Sequence, residues 1–110
     1  KIRTDNKNLK HILIVGDNDL AFTFARKIRN NPYLGFDISG FLGRSNHVGM
    51  EIEGSKIIGS FKDLDKILEN NNFDRVVLAI PLKYYYKINE LVESCERVGI
   101  KAEIIPDYIR

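Results

Sequence analysis

The chain has 110 residues, of which 44% are hydrophobic and 29% charged, which is typical of one folded globular domain and excludes a disordered chain. Its 17 Lys and Arg residues stand against 15 Asp and Glu, and a net charge of +2 is too small to indicate a nucleic-acid partner. No apolar run approaches the roughly 20 residues that span a bilayer, and the single cysteine excludes an internal disulfide.

A basic segment precedes the first predicted strand. Lys1, Arg3 and Lys7 stand there against Asp5 as the one acidic residue. We interpret residues 1–9 as a basic N-terminal linker. Residues 10–110 hold no internal linker, repeat or low-complexity segment, so they are predicted to form a single domain.

An apolar run, a glycine turn and an amphipathic helix open this domain. Residues 12–15 are four consecutive apolar residues, as in a strand that is buried on both faces of a parallel sheet. Gly16 ends the run, and a helical apolar period predicts a helix from about Asp19 to Asn30. Strand, glycine turn and helix is the opening of a dinucleotide-binding βαβ unit.

The remaining chain alternates between strand and helix patterns. Further strands are predicted at residues 35–42, 56–58, 75–82 and 101–105, with a short extended piece near residues 50–52. Helices are predicted to begin at a Ser60–Asp63 capping box and near Ile88. This alternation predicts an α/β fold: a three-layer Rossmann-like domain of about five parallel strands, in the order 3-2-1-4-5, with helices on both faces.

The glycine turn departs from the dinucleotide-binding fingerprint. The pattern G-x-G-x-x-G/A falls on Gly16, Asn18 and Ala21, so the second position lacks the glycine that lets a pyrophosphate approach the backbone. Asp17 and Asp19 would repel a phosphate and can cap the helix themselves. The turn therefore favours a self-capped helix start with no ligand, and a ligand-binding turn is the alternative.

If a small ligand binds, topology places it beyond the carboxyl ends of the strands. The candidate binding residues there are Gly16, Asp17, Asn18, Asp19, Leu20, Arg44 and Pro81. A nicotinamide site would have an acidic residue after the second strand, where this chain has Arg44. A forked guanidinium suits the extra ribose phosphate of NADP or coenzyme A. We therefore rank coenzyme A or NADP above NAD, and no ligand above all three; an ordinary exposed arginine is the alternative.

The chemistry-bearing side chains form no catalytic pattern. Cys95 lies on the apolar stripe of its predicted helix, which is typical of an inert core residue. His11 and His47 have no metal-ligand spacing, and no serine lies in a nucleophile motif. The sequence thus predicts no catalytic residue and no metal site, and that this chain alone catalyses nothing.

Three consecutive tyrosines, Tyr84 to Tyr86, follow the fourth predicted strand. Three successive helical residues cannot all face the core. They predict either an aromatic surface for a partner, including a second copy of the chain, or one buried ring with two rings along the rim.

Two stretches carry a family resemblance: GDNDLA, and then ARKIRNNPYLGFDISGFLG. They resemble the Rossmann-like domain of bacterial polyprenyl-phosphate hexose-1-phosphate transferases, whose pattern is approximately GAGDLG, then NPxLG, then FLDD. Similar domains occur in membrane-bound nucleotide-sugar 4,6-dehydratases. Matches continue to Tyr108 and include Val48-Gly49, Gly54, Gly59-Ser60, Ala79-Ile80-Pro81 and Ile105-Pro106-Asp107.

The resemblance implies a CoA-binding-type domain inside a larger enzyme. Such enzymes start exopolysaccharide or capsule synthesis, and this domain lies between their membrane helices and a C-terminal catalytic domain. The implied function is a non-catalytic regulatory or assembly module, cytoplasmic and part of an inner-membrane protein, whose partners are those other domains. The basic residues before the first strand would then lie near the inner membrane face. The alternatives are the equivalent dehydratase domain and a stand-alone NAD(P)- or CoA-binding sensor.

Overall fold

Residues 9–107, the part of the chain that the computed structural model describes, form a six-stranded sheet with helices on both faces. The linker predicted at residues 1–9 lies outside the described residues, except for Leu9, and so does Tyr108. The strands are β1 (Lys10–Val15), β2 (Phe36–Gly43), β3 (Glu51–Ile52), β4 (Ser55–Ser60), β5 (Arg75–Leu78) and β6 (Lys101–Ile104). The helices are α1 (Asp19–Asn30), α2 (Leu64–Asn70) and α3 (Ile88–Arg97).

The strand order is β3-β4-β2-β1-β5-β6. Five strands run parallel in the predicted order, which confirms the Rossmann-like architecture. The sixth strand, β3, pairs antiparallel with β4 at the sheet edge. It forms where the sequence indicated only a short extended piece.

The first strand is buried on both faces, as its apolar run predicts. Ile12 and Ile14 pack on the side of α1, whereas Leu13 and Val15 pack on the side of α2 and α3. All four side chains are at most 1% exposed. Each strand residue therefore contributes to one of two separate cores, because successive side chains point to opposite faces.

Small residues let α1 lie close against the sheet. Ala21, Ala25 and Ile28 are its buried residues, and both alanines are fully buried. Phe22 meets Phe41 of β2 edge to face, with ring centroids 5.6 Å apart. This geometry is the favoured one for an aromatic pair.

A hairpin replaces a helix in the crossover from β2 to β4. The connection holds a 3-10 turn at Ser45–His47 and the short strand β3. Glu53 has a φ of +51° in the hairpin turn, and its carboxylate lies 2.9 Å from Arg26 Nη2 and 3.7 Å from Arg29 Nη1 of α1. In residues 9–107, α1 is consequently the single helix on its face of the sheet.

The predicted capping box begins the segment that leads into α2. Asp63 Oδ2 accepts from the backbone N–H of Ser60 at 3.0 Å and from its hydroxyl at 3.1 Å. These hydrogen bonds hold the pKa of Asp63 below its ordinary value. Leu64 and Leu68 of α2 are buried in the core, whereas Phe61, which precedes the helix, is 38% exposed.

The fifth strand ends at Leu78, earlier than the predicted Leu82. The carbonyl of Ala79 accepts from the side-chain amide of Asn18, and Pro81 has no N–H to donate to a neighbouring strand. A 3-10 segment at Leu82–Lys87 then leads into α3. The backbone thereby leaves the sheet early and turns over its carboxyl edge.

No helix within the described residues has the length and apolar character needed to cross a membrane.

Candidate functional site

A cavity of about 350 Å³ opens at the carboxyl edge of the sheet, and we call it the crevice. Residues 16–18 after β1, Arg44 after β2 and residues 79–81 after β5 line it, and the 3-10 segment and α3 complete its wall. Five of the seven sequence-predicted site residues meet there: Gly16, Asp17, Asn18, Arg44 and Pro81. The crevice thus lies where topology predicts the ligand of a parallel sheet.

The other two predicted site residues do not line the crevice. Asp19 is exposed at the start of α1. Leu20 is half-buried and packs against the core between α1 and the sheet. Their positions in the fingerprint fit the helix start, but the helix turns them away from the cavity.

Gly16 makes the close turn from β1 into α1 possible. Its φ is +146°, and a Cβ on it would lie 2.4 Å from the carbonyl oxygen of Ala79. Its N–H donates to the carbonyl of Leu42 at 2.9 Å. Only glycine fits here, since any side chain would collide with the backbone that follows β5.

Asn18 caps α1 and ties it to the end of β5. Its Oδ1 accepts from the N–H of Ala21 at 2.9 Å, and its Nδ2 donates to the carbonyl of Ala79 at 2.9 Å. The predicted self-capped helix start is therefore present. The capping residue is Asn18, however, and not Asp17 or Asp19 as the sequence indicated.

Asp17 is engaged by the loop that follows β2. Its side chain is 5% exposed, and its Oδ2 accepts from the Arg44 backbone N–H at 2.9 Å and from Arg44 Nε at 3.2 Å. His47 Nδ1 lies 2.9 Å from the same oxygen. Burial raises the pKa of Asp17, but the hydrogen bonds from Arg44 and His47 outweigh it and hold that pKa below its ordinary value.

Arg44 keeps part of its guanidinium for other partners. Its Nε pairs with Asp17, and Nη2 lies 3.4 Å from the Asp17 carbonyl. The side chain is 61% exposed and lines the crevice. The use of Arg44 as a phosphate contact stays a prediction, and the structure adds that Asp17 holds this side chain in place.

Six residues that line the crevice were not among the predicted site residues: Phe61, Ala79, Ile80, Tyr84, Lys87 and Leu91. Lys87 Nζ lies 5.9 Å from the ring centroid of Tyr84. In the tyrosine triplet, Tyr85 is partly buried against the core, whereas Tyr84 is 41% and Tyr86 74% exposed; a partner surface at these rings stays a prediction. The available signal was the triplet itself, which indicated an aromatic rim but not which ring faces the cavity.

The single cysteine of the chain, Cys95, is not among the residues that line the crevice. Cys95 is fully buried, and burial, aided by the charges of Asp65 and Glu96, raises the pKa of its thiol to about 11. Residues 9–107 hold no group of three His, Cys, Asp or Glu side chains that could bind a metal ion. The predicted position of Cys95 in the core is confirmed.

Removing the charge of Asp17 should flatten the acid dependence of stability. Because the folded pKa of Asp17 is depressed, its contribution is fully present above the unfolded value of about 3.9 and is lost as pH falls through the folded pKa. We expect Asp17→Asn to lower the free energy of unfolding at pH 7 by about 1–3 kcal/mol, and the difference from the parent chain to shrink below pH 4.

Urea unfolding between pH 7 and pH 2.5 measures this difference. Glu69→Gln, an exposed acid on α2, is the control and should follow the parent curve. A difference for Asp17→Asn that stays constant down to pH 2.5 would contradict the role assigned to the carboxylate.

The fold and the crevice define a Rossmann-like α/β domain with its candidate ligand site at the carboxyl edge of a parallel sheet. A family model described as a CoA-binding domain matches residues 1–106. The chain belongs to this family of CoA-binding domains.

One relative is the UDP-glucose:undecaprenyl-phosphate glucose-1-phosphate transferase of Xanthomonas campestris pv. campestris. It is 21% identical over 108 residues, which are 96% of this chain and 22% of that protein. The predicted resemblance to polyprenyl-phosphate sugar transferases is confirmed. The chain spans about a fifth of the length of this relative.

Solved structures share the fold. UDP-D-quinovosamine 4-dehydrogenase from Vibrio fischeri has a TM-score of 0.75 and 20% identity, over 90% of this chain and 80% of that one. RSP, a Rex-family repressor, has a TM-score of 0.72 and 16% identity, over 96% of this chain and 50% of that one. At these identities the likeness shows the Rossmann-like fold.

Proposed function

We propose that this chain is a non-catalytic regulatory or assembly module of a membrane-bound sugar-phosphate transferase, one that starts exopolysaccharide or capsule synthesis on polyprenyl phosphate. The observation that carries the proposal is the state of Asp17, the one carboxylate among the residues that line the crevice. It is hydrogen-bonded to Arg44 and His47 and its pKa is lowered.

A depressed pKa makes Asp17 a poor proton carrier near neutral pH. A general acid or base works best when its pKa lies near the operating pH. The single thiol of the chain, on Cys95, is buried with a raised pKa and is therefore no nucleophile. Transfer chemistry would then belong to another part of a longer protein, in keeping with the 22% share of the transferase that this chain spans.

The cellular setting is part of the same proposal. The relative acts, by its name, on undecaprenyl phosphate, and we propose a cytoplasmic domain of an inner-membrane protein that works beside membrane and catalytic domains. The NPYLG and IIPDY segments resemble the sugar transferases more than the nucleotide-sugar 4,6-dehydratases, and this resemblance favours the transferase assignment.

The purified chain should give no product when incubated with UDP-glucose and polyprenyl phosphate. The one carboxylate that lines its crevice, on Asp17, is already hydrogen-bonded to Arg44 and His47, so product formation should match a protein-free blank. Product formation is measured by incubation with radiolabelled UDP-glucose, followed by extraction and counting of the lipid fraction. Turnover above the blank that Asp17→Asn abolishes would overturn the proposal.

A further inference from the structure

We propose that the crevice binds a nucleotide that carries a terminal phosphate, with Lys87 and Arg44 binding the phosphate and Tyr84 contacting the base. This inference rests on the proposed function, since it names the ligand class of the same crevice. It assigns binding roles to Tyr84 and Lys87, which lie outside the glycine-turn fingerprint.

The charges that line the crevice favour an anion. Its charged side chains are Asp17, Arg44 and Lys87. The Asp17 side chain is 5% exposed and pairs with Arg44 and His47, so its negative charge is compensated within the protein and repels a bound anion little. Lys87 and Arg44 Nη1 remain for a ligand, whereas Arg44 Nη2 already lies 3.4 Å from the Asp17 carbonyl. Two cations match a terminal phosphate, which carries about −1.5 to −2 charge at pH 7.

The walls of the crevice favour a flat ring beside that anion. Two aromatic rings, Phe61 and Tyr84, line the cavity together with the apolar side chains of Ile80 and Leu91. Lys87 Nζ lies 5.9 Å from the centroid of the Tyr84 ring. A base against Tyr84 therefore has a cation nearby for the attached phosphate, and aromatic stacking is worth ~1–3 kcal/mol per base.

Asn18 keeps the phosphates away from the position that they take in a dinucleotide fingerprint. That position needs a glycine, so that a bridging pyrophosphate can lie on the backbone at the helix start. Here the Asn18 amide occupies the turn and is fixed by hydrogen bonds to Ala21 and Ala79. The volume of the crevice, about 350 Å³, also lies at the lower end of the ~300–1,000 Å³ that is typical of small-molecule sites, which favours a single nucleotide over a dinucleotide.

Calorimetric titration of the chain with adenosine diphosphate, adenosine and NAD tests the proposal. We expect adenosine diphosphate to bind at least about tenfold more tightly than adenosine, which has no phosphate, and than NAD, whose pyrophosphate has no terminal group. Uridine diphosphate is titrated in parallel, and binding of either diphosphate supports the ligand class.

Two neighbouring pairs of residues provide matched variants. Lys87→Ala should weaken the diphosphate about tenfold, while Lys83→Ala, whose lysine lies outside the crevice but beside the same Tyr84 ring, should not. Tyr84→Ala should likewise weaken binding, and Tyr86→Ala, at the 74% exposed ring, should leave it unchanged. All four side chains are exposed, so the folded structure should survive each change.

Three results would overturn the inference. The first is that neither diphosphate gives binding heat at about 5 mM, roughly the weakest affinity of a specific site. The second is that NAD binds as tightly as adenosine diphosphate, and the third is that Lys87→Ala and Lys83→Ala lose equal amounts of diphosphate affinity. Binding and sugar transfer are measured separately. Absent binding with absent turnover refutes the inference alone, whereas binding accompanied by sugar transfer refutes the proposed non-catalytic role alone.

Discussion

Replacing Phe41 by alanine is expected to lower the free energy of unfolding by about 3–5 kcal/mol. Phe41 lies on β2, is fully buried, and is among the largest of the fully buried side chains. Its truncation would leave a cavity between the sheet and α1 and would remove the edge-to-face partner of Phe22. This is a large part of the ~5–15 kcal/mol by which a domain is stable.

Urea unfolding monitored by circular dichroism measures the loss. Tyr33→Ala is the matched control, because it also removes an aromatic ring but at a side chain that is 76% exposed. It should change the free energy of unfolding by no more than about 0.5 kcal/mol. Equal effects of the two changes would show that the core on the α1 face is not packed as described.

Gly16→Ala should destabilise the chain by about 3 kcal/mol or more. A residue with a side chain would have to hold a φ of +146°, and such strained backbone costs on the order of 1–3 kcal/mol. The new Cβ would also meet the carbonyl oxygen of Ala79 at 2.4 Å, and overpacking adds roughly 1–3 kcal/mol. The turn cannot move without breaking the hydrogen bond from Asn18 to the same carbonyl.

Gly35→Ala separates the two causes. Gly35 has a φ of +78°, but nothing lies within 4 Å of the position that its Cβ would take. Only the backbone cost remains, about 1–2 kcal/mol. If thermal unfolding showed the two variants to be equally stable, the close approach of Gly16 to Ala79 would not exist in solution.

The fold was predictable because its strongest signals are local. The four apolar residues of β1 predict a strand buried on both faces, and the handedness of parallel crossovers then limits the strand order. The sequence predicted the extended piece near residues 50–52 but not the hairpin that contains β3. The antiparallel pairing of Glu51 and Ile52 depends on the edge that β4 offers, which is a tertiary contact.

The site was predictable in part, for a similar reason. The fingerprint indicates Gly16 and Asn18, since a turn requires particular residues at fixed spacing. The contacts of Asp17 with Arg44 and His47 span 27 and 30 residues of sequence and depend on the conformations of three side chains. The sequence left two alternatives for the tyrosine triplet. Helical periodicity could not decide between them, since Tyr84 lies at a kink with a φ of −109° and a ψ of +15°.

The two hydrogen bonds of the Asn18 side chain fix the base of the crevice, whereas the side chains at its rim are less constrained. One amide group links the first turn of α1 to the backbone beyond β5, so a shift of either segment would break one of these hydrogen bonds. The rim, with Arg44 on one side and Tyr84 and Lys87 on the other, is exposed. Affinity would then come mainly from how far the rim residues are already in place before a ligand arrives, because each side chain that must be immobilised subtracts from it.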